Sequence, residues 1–257
     1  MNGATGVADD TEKAALAVTL AGVAGFVDVA GYVSLFGIFT AHMSGNSSEL
    51  GASLGHGAFS EALTRGLPVL FFVVAVAVGA AVIEWLARRG MRSPTSVTLS
   101  AEILLLGALM AYGRRCLRAG LVIGTGPFFG LAALAVGAMG LQTASLRRVG
   151  GRTVRTTYVT GMLTSMAESG VGYLFLRRDL RRREPGDRPG RRAVRAARRR
   201  ALLLAGIWCA YLGGGVAGAV LERRWRLDAF VVPTVVLAVV VTVDLMRPVR
   251  PAPAGGR

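Results

Sequence analysis

The chain alternates between long apolar blocks and shorter polar or basic ones, and this pattern sets its class before any motif does. Apolar blocks of about 17–25 residues have the length of a helix that crosses a bilayer. They predict spans over 14–41, 67–86, 97–112, 121–146, 201–221 and 230–246. Two intervening blocks are more polar: 43–66, with Ser44, Asn46, Ser47, Ser48, Glu49 and His56, and 156–176, with four threonines and Glu168. Neither can face lipid along its whole length. The expectation is an all-α polytopic membrane bundle of about six full spans plus two polar half-helices or extra spans.

The ends and one internal segment fall outside this pattern. Residues 1–13 read as a short cytoplasmic tail, and 247–257 as another. Residues 177–200 hold twelve arginines with Pro185, Pro189 and Gly190, which no membrane core accepts, so an aqueous loop is expected there. No basic stretch precedes the first apolar block and no convincing cleavage site follows it. That block is therefore read as a retained span.

Composition sharpens the class. With 53% apolar residues and a mean hydropathy of +0.51, a disordered chain, a coiled coil and a disulfide scaffold are excluded. Thirty basic residues oppose fifteen acidic ones, a net charge of +15. A pI near 11.4 can signal nucleic-acid binding. Here the positives sit at the ends of apolar blocks, where cytoplasmic loops concentrate arginine. A lipid bilayer, and no nucleic acid, is the expected partner. With six spans, both termini and 177–200 lie in the cytoplasm together with most of the arginines. If both polar blocks cross, making eight spans, the same sides result with a weaker asymmetry. Cys116 and Cys209 form no CxxC pair, so no metal or redox motif is present.

The halves of the chain echo each other. His42, Met43, Ser44, Gly45 and Asn46 pair with Tyr158, Val159, Thr160, Gly161 and Met162. Asp28 precedes the first motif much as Gln142 precedes the second. Residues 80–84 and 218–222 both end in Glu and are followed by arginines. An internal duplication of 14–112 and 121–246 is expected, with Ser44 and Gly45 over Thr160 and Gly161. Such repeats are a common transporter architecture. Three spans per half would make the halves inverted; four would make them parallel.

The same residues carry a family resemblance. Gly25, Phe26, Val27 and Asp28, then 39–46 ending in His42, Met43, Ser44, Gly45 and Asn46, resemble the N-terminal signature of the YoaK family. So do 139–144, with Gln142, and 156–161, with Thr160 and Gly161. The resemblance covers nearly the whole chain. It implies a bacterial integral membrane protein, placed in the cytoplasmic membrane, of a domain class without an assigned function. It brings no catalytic residues.

Among individual residues Asp28 is foremost. A charge near the centre of a span costs about 2.5–3.5 kcal/mol to insert and marks a bundle interior or a water-filled path. Glu102 is a secondary candidate, nearer the start of its span. Glu84 and Glu222 sit beside arginines and read as solvated interfacial pairs. The Ser44, Gly45, Asn46 and Thr160, Gly161 segments combine close backbone approach with donors and acceptors. Ser44 and Thr160 are also good N-cap types, so a short helix starting there would aim its positive end at the midplane. His42 adds a side chain that titrates near neutral pH. Gln142 can bond across helices. Gly51, Ser53 and Gly55 match a nucleophile-elbow pattern but lack the strand and the distant histidine it requires. No catalytic set, cofactor motif or metal ligand group emerges, and an enzyme is not expected. The reading is a small secondary transporter or permease-like protein. Its path runs through Asp28, His42, Ser44, Asn46, Gln142 and Thr160, carrying protons and a small polar or anionic substrate. The alternative is a non-transport scaffold or anionic-lipid-interacting module, with 177–200 docking on lipid.

Overall fold

The structure, a computed structural model, describes residues 3–91, 93–149, 159–182 and 187–246. The expected helical membrane bundle is what it shows. In order come α1 (Gly3–Ser34), α2 (Met43–Gly55), α3 (Phe59–Arg88), α4 (Pro94–Arg118), α5 (Gly126–Val149), α6 (Val159–Arg182), α7 (Arg188–Trp225) and α8 (Val231–Met246). A 3-10 turn, Arg226–Phe230, joins the last two. Stretches long and apolar enough to cross a membrane are Thr11–Ser34, Phe59–Arg88, Pro94–Arg118, Gly126–Ser145 and the run Pro189–Met246, which holds both α7 and α8. Their outward faces carry Val73, Leu104, Val220 and Val239, each more than half exposed within the chain itself. Such surface belongs in lipid.

Side-chain registers fix the helix directions. Gly22 faces Ala210 and Gly214, Phe26 faces Gly218 and Ser34 bonds Glu222, so α1 and α7 run parallel. Gly140 lies on Phe72, Ala75 and Val76 while Gly79 meets Leu141 and Ala144, so α3 and α5 are also parallel. Leu20 lies opposite Gln142 and Phe36 opposite Phe128, which makes α5 antiparallel to α1. Thr98 meets Ser145 and Tyr112 meets Gly130, reversing α4 against α5. Ser96 meets Asp244 and Arg114 meets Asp228, reversing α8 against α4. Setting aside α2 and the polar, 24-residue α6, the helices α1, α3, α4, α5, α7 and α8 therefore alternate in direction along the chain. The first residues of α1 and α7 and the last residues of α3, α5 and α8 share one end of the bundle.

Glycine sets the closest contact. A Cβ on Gly25 would stand 1.9 Å from the Tyr211 carbonyl oxygen, and one on Gly214 2.0 Å from that of Gly22. Small residues let two backbones meet where lipid gives no hydrophobic drive to pack.

Several sequence expectations change. The first span ends at Ser34 instead of running to 41, because Phe36 and Gly37 turn the chain in the left-handed region (φ 52° and 88°). Its helix also takes in the expected tail, from Gly3. The arginine segment 177–200 is mostly helix: α6 continues to Arg182 and α7 starts at Arg188, with Asp187 Oδ1 accepting the Gly190 N–H at 2.9 Å. Exclusion from lipid says nothing against helix, and arginine is a good helix former. At 13 residues α2 is too short to cross. Thr156, Thr157, Tyr158, Arg92 and the 247–257 tail lie outside the described residues.

Candidate functional site

The turn after α1 sends the chain back beside its own helix. Gly31 makes room: a Cβ there would stand 2.5 Å from Thr40 Cγ2. The returning segment therefore lies against Asp28, which is 1% exposed. Asp28 Oδ1 accepts the backbone N–H groups of Thr40 at 2.8 Å and Ala41 at 2.7 Å, and the Thr40 hydroxyl at 3.1 Å. Oδ2 accepts the Tyr211 hydroxyl at 2.7 Å and pairs with His42 Nδ1. Tyr211 Oη and His42 Nδ1 are 3.1 Å apart, closing a triangle. Two helices and one re-entrant loop thus converge on one carboxyl.

The surrounding residues hold that loop. Asn46 clamps Phe39 from both sides: its Oδ1 accepts the Phe39 N–H at 3.1 Å and its Nδ2 donates to the Phe39 carbonyl at 2.8 Å. Arg65 donates to the Gly37 carbonyl at 2.8 Å and pairs with Glu49 at 2.8 Å. A Cβ on Gly45 would press on the Phe39 ring at 2.9 Å. The α2 helix begins at Met43, at the depth of Asp28, and pairs Leu50 with Gly66 on α3 as it climbs away. Its N-terminal end, with partial positive charge, is thus directed into the bundle.

Buried charge is tolerated where it is paired and hydrogen-bonded. Asp28 has five such contacts, and they are a set of donors for an ionised carboxylate. The span itself supplies no opposing charge; the His42 imidazole reaches the carboxyl from beyond the helix end. Its side chain is 26% exposed against 1% for Asp28. The histidine therefore links a sealed acid to the outside of the bundle.

The structure brings Asp28, His42 and Asn46 together, with Gly45 at their edge. It does not bring in the remaining path candidates. Ser44 is exposed, and the α2 N-cap is His42, without a side-chain cap bond. Thr160 is exposed in the first turn of α6, and Gly161 is next to it. Gln142 is fully buried two turns below Asp28 and donates weakly to the Leu20 carbonyl at 3.5 Å. Glu102 is fully buried on α4, away from this cluster. Glu84 pairs with Arg88 at 2.9 Å as an exposed pair. Glu222 departs from expectation: it is buried and accepts from Ser34 at 3.1 Å. Gly51, Ser53 and Gly55 lie inside α2. Tyr211 and the Thr40 and Ala41 amides were not legible as site groups, though glycines 213–215 beside Tyr211 mark a close approach. Among the described residues no group of three His, Cys, Asp or Glu side chains could hold a metal ion.

A family model described as "Protein of unknown function (DUF1275)" matches residues 16–243. Among curated proteins, the "UPF0700 transmembrane protein YoaK" of Bacillus subtilis (strain 168) is 29% identical over 159 residues, 60% of this chain. The match spans 66% of that protein, just under two thirds of its length. No solved structure matches.

Proposed function

The chain belongs to the DUF1275 family of proteins of unknown function, and from that premise we propose that it is a small proton-coupled secondary transporter. One observation carries the reading: a sealed carboxyl at mid-bundle, joined to the outside by a half-open histidine and holding a re-entrant loop by its own hydrogen bonds. His42 delivers or removes the proton. A proton arriving at Asp28 removes the charge that strengthens its bonds to Thr40 and Ala41. The loop 35–42 and the α2 half-helix are then free to move, which opens the site to a small polar or anionic substrate. Irregular backbone at this depth survives where it lines a cavity or is buried in protein.

The neighbour relations support a duplicated, inverted architecture. With α1–α4 set over α5–α8, the contact of α1 with α7 corresponds to that of α5 with α3. Likewise α2 with α3 corresponds to α6 with α7, and α4 with α5 to α8 with α1. Equivalent long helices point in opposite directions. At the far end Leu180 of α6 packs near Gly190 of α7. Counting back from there along both helices brings the start of α6 beside the Tyr211 region of α7 at 1.5 Å per residue. The N-terminal ends of α2 and of the longer, 24-residue α6 then approach the midplane from opposite sides, as half-helices do in transporters built from inverted repeats. In this topology the termini and the arginine-rich ends of α6 and α7 are cytoplasmic, in the plasma membrane of a bacterium.

The test is an untargeted metabolite comparison of vesicles with and without the protein, followed by Asp28→Asn on whatever flux is found. The substitution is expected to preserve expression and abolish the proton dependence of that flux. Intact flux with unchanged pH dependence would overturn the coupling role. A second reading, docking on anionic lipid, draws on the exposed arginines of α6 and α7, such as Arg181 and Arg195. Each near the surface contributes about 1 kcal/mol. Binding that rises with the vesicle's phosphatidylserine content, without any flux, would favour it.

A further inference from the structure

A second carboxyl lies outside the Asp28 cluster. Glu102 is 0% exposed, and neither of its oxygens has a hydrogen-bond partner among the described residues. An ionised carboxylate left so bare costs many kcal/mol, and such a group holds a proton instead. Among the described residues no cation relieves it. The packed stretches of α5 (126–145) and α3 (66–83) carry no charged residue, and α8 carries only Asp244. From α1 the charges are Asp28, two turns higher, and Lys13 at the far end. On α4 itself Arg114, Arg115 and Arg118 begin three turns on, at the opposite end, beside Arg226 and Asp228. The Glu84 and Arg88 pair is exposed at the inner rim.

One direction from Glu102 is polar. Thr98 lies one turn below on the same face of α4 and shares a hydrogen bond with Ser145 at 2.6 Å in which either can donate. Ser145 reaches the Leu141 carbonyl at 3.0 Å. Ser96 bonds Asp244 at the end of α8. Ser93, buried at the rim, has a hydroxyl without a partner among the described residues. All these groups lie between Glu102 and the end of the bundle that holds the arginine-rich helices. In the other direction α4 buries only Leu106, Leu109, Gly113 and Cys116.

We infer that Glu102 is a second proton-carrying site, loaded from the arginine-rich side through a file of the Ser93, Ser96, Thr98 and Ser145 hydroxyls and the Asp244 carboxyl. A proton from water passes along these groups, each hydroxyl accepting one and releasing another. Because Glu102 has no hydrogen-bond partner among the described residues, the last transfer, from Thr98, needs the Glu102 side chain to rotate one turn down towards it, which neutralises the carboxylate. Asp28 and Glu102 would then serve opposite sides of the membrane. The pairing rests on the proton-coupled reading above; the state of Glu102 does not.

Infrared spectroscopy of the full chain in lipid vesicles separates the two. The neutral-carboxyl C=O stretch should be present, shift with a heavy-carbon label on the glutamate carboxyl, vanish in Glu102→Gln and persist in Asp28→Asn. The label assigns the band to a glutamate without any substitution. Persistence of the band in Glu222→Gln, the other buried glutamate among the described residues, assigns it to Glu102 should Glu102→Gln fold poorly; its loss in Glu222→Gln overturns the site. A Thr98→Val, Ser145→Ala double variant should keep the band but slow its exchange into deuterated water. Absence of a glutamate band, or its survival in Glu102→Gln, overturns the site. Unchanged exchange in the double variant overturns the path. If Asp28→Asn leaves flux and its pH dependence intact while these bands behave as expected, only the coupling reading falls.

Discussion

Asp28 behaves as a structural keystone as well as a candidate carrier. Its oxygens satisfy two backbone amides of a loop that has no helix of its own to satisfy them. A buried donor left unpaired costs about 1–3 kcal/mol, so the substitutions should rank by how many donors they abandon. Tyr211→Phe removes one charge-assisted bond and should lower stability by about 1.5–3 kcal/mol. Asp28→Asn keeps an acceptor for Thr40 and Ala41 and should cost less than Asp28→Leu, which strands them all. Thermal unfolding of purified protein in one detergent checks the order; Asp28→Leu as stable as Asp28→Asn would contradict the hydrogen-bond account. At this scale the sequence disclosed the acid but not its partners. A lone aspartate in an apolar span announces itself by its cost. Tyr211 looks like any aromatic in a lipid-facing helix until the fold sets α7 against α1. Thr40 and Ala41 contribute backbone amides, which no side-chain pattern encodes.

At the scale of elements, the α1 and α7 contact is what delivers Tyr211 to Asp28. Gly25 and Gly214 allow it, since a Cβ at either would overlap a carbonyl of the facing helix. Gly25→Leu should part the helices, with a loss of at least about 1–3 kcal/mol from overpacking and disruption of the Tyr211 bond. Gly51→Ala, on an open face of α2, should be neutral or stabilising by about 0.5–1 kcal/mol. Equal midpoints for the two variants in the same unfolding measurement would remove the close-packing argument. Apolar length made the spans legible, because bilayer thickness is a fixed ruler. It could not show where α1 stops. The residues 35–41 are apolar enough to continue the span, and only the left-handed Phe36 and Gly37 pair with capture by Asp28 turns them back. Nor could it show that α6 runs on to Arg182 and that α7 starts at Arg188, since a charge run rules out lipid and leaves secondary structure open.

For the whole molecule, the alternation of α1, α3, α4, α5, α7 and α8 and the distribution of arginine are independent lines that agree. The registers set Lys13, Arg88, Arg89 and the basic ends of α6 and α7 at one end of the bundle, and Arg65, Arg114, Arg118 and Arg223 at the other. The richer end is the one that the positive-inside rule assigns to the cytoplasm. Labelling decides it: with Cys116 and Cys209 replaced, cysteines are introduced at Val122, in the exposed link before α5, and at Arg192, on the exposed part of α7. A membrane-impermeant maleimide applied to intact cells should label the first, and the second only after permeabilisation. The reverse result would invert the molecule and exchange the sides served by Asp28 and Glu102. Labelling of both from outside would break the alternation itself, and with it the inverted pairing of α1–α4 with α5–α8. That pairing, proposed above, is what would give the transport reading its physical content. Two half-bundles of opposite orientation can exchange conformations about a shared midplane, so one arrangement of α2 facing outward implies its mirror with α6 facing inward.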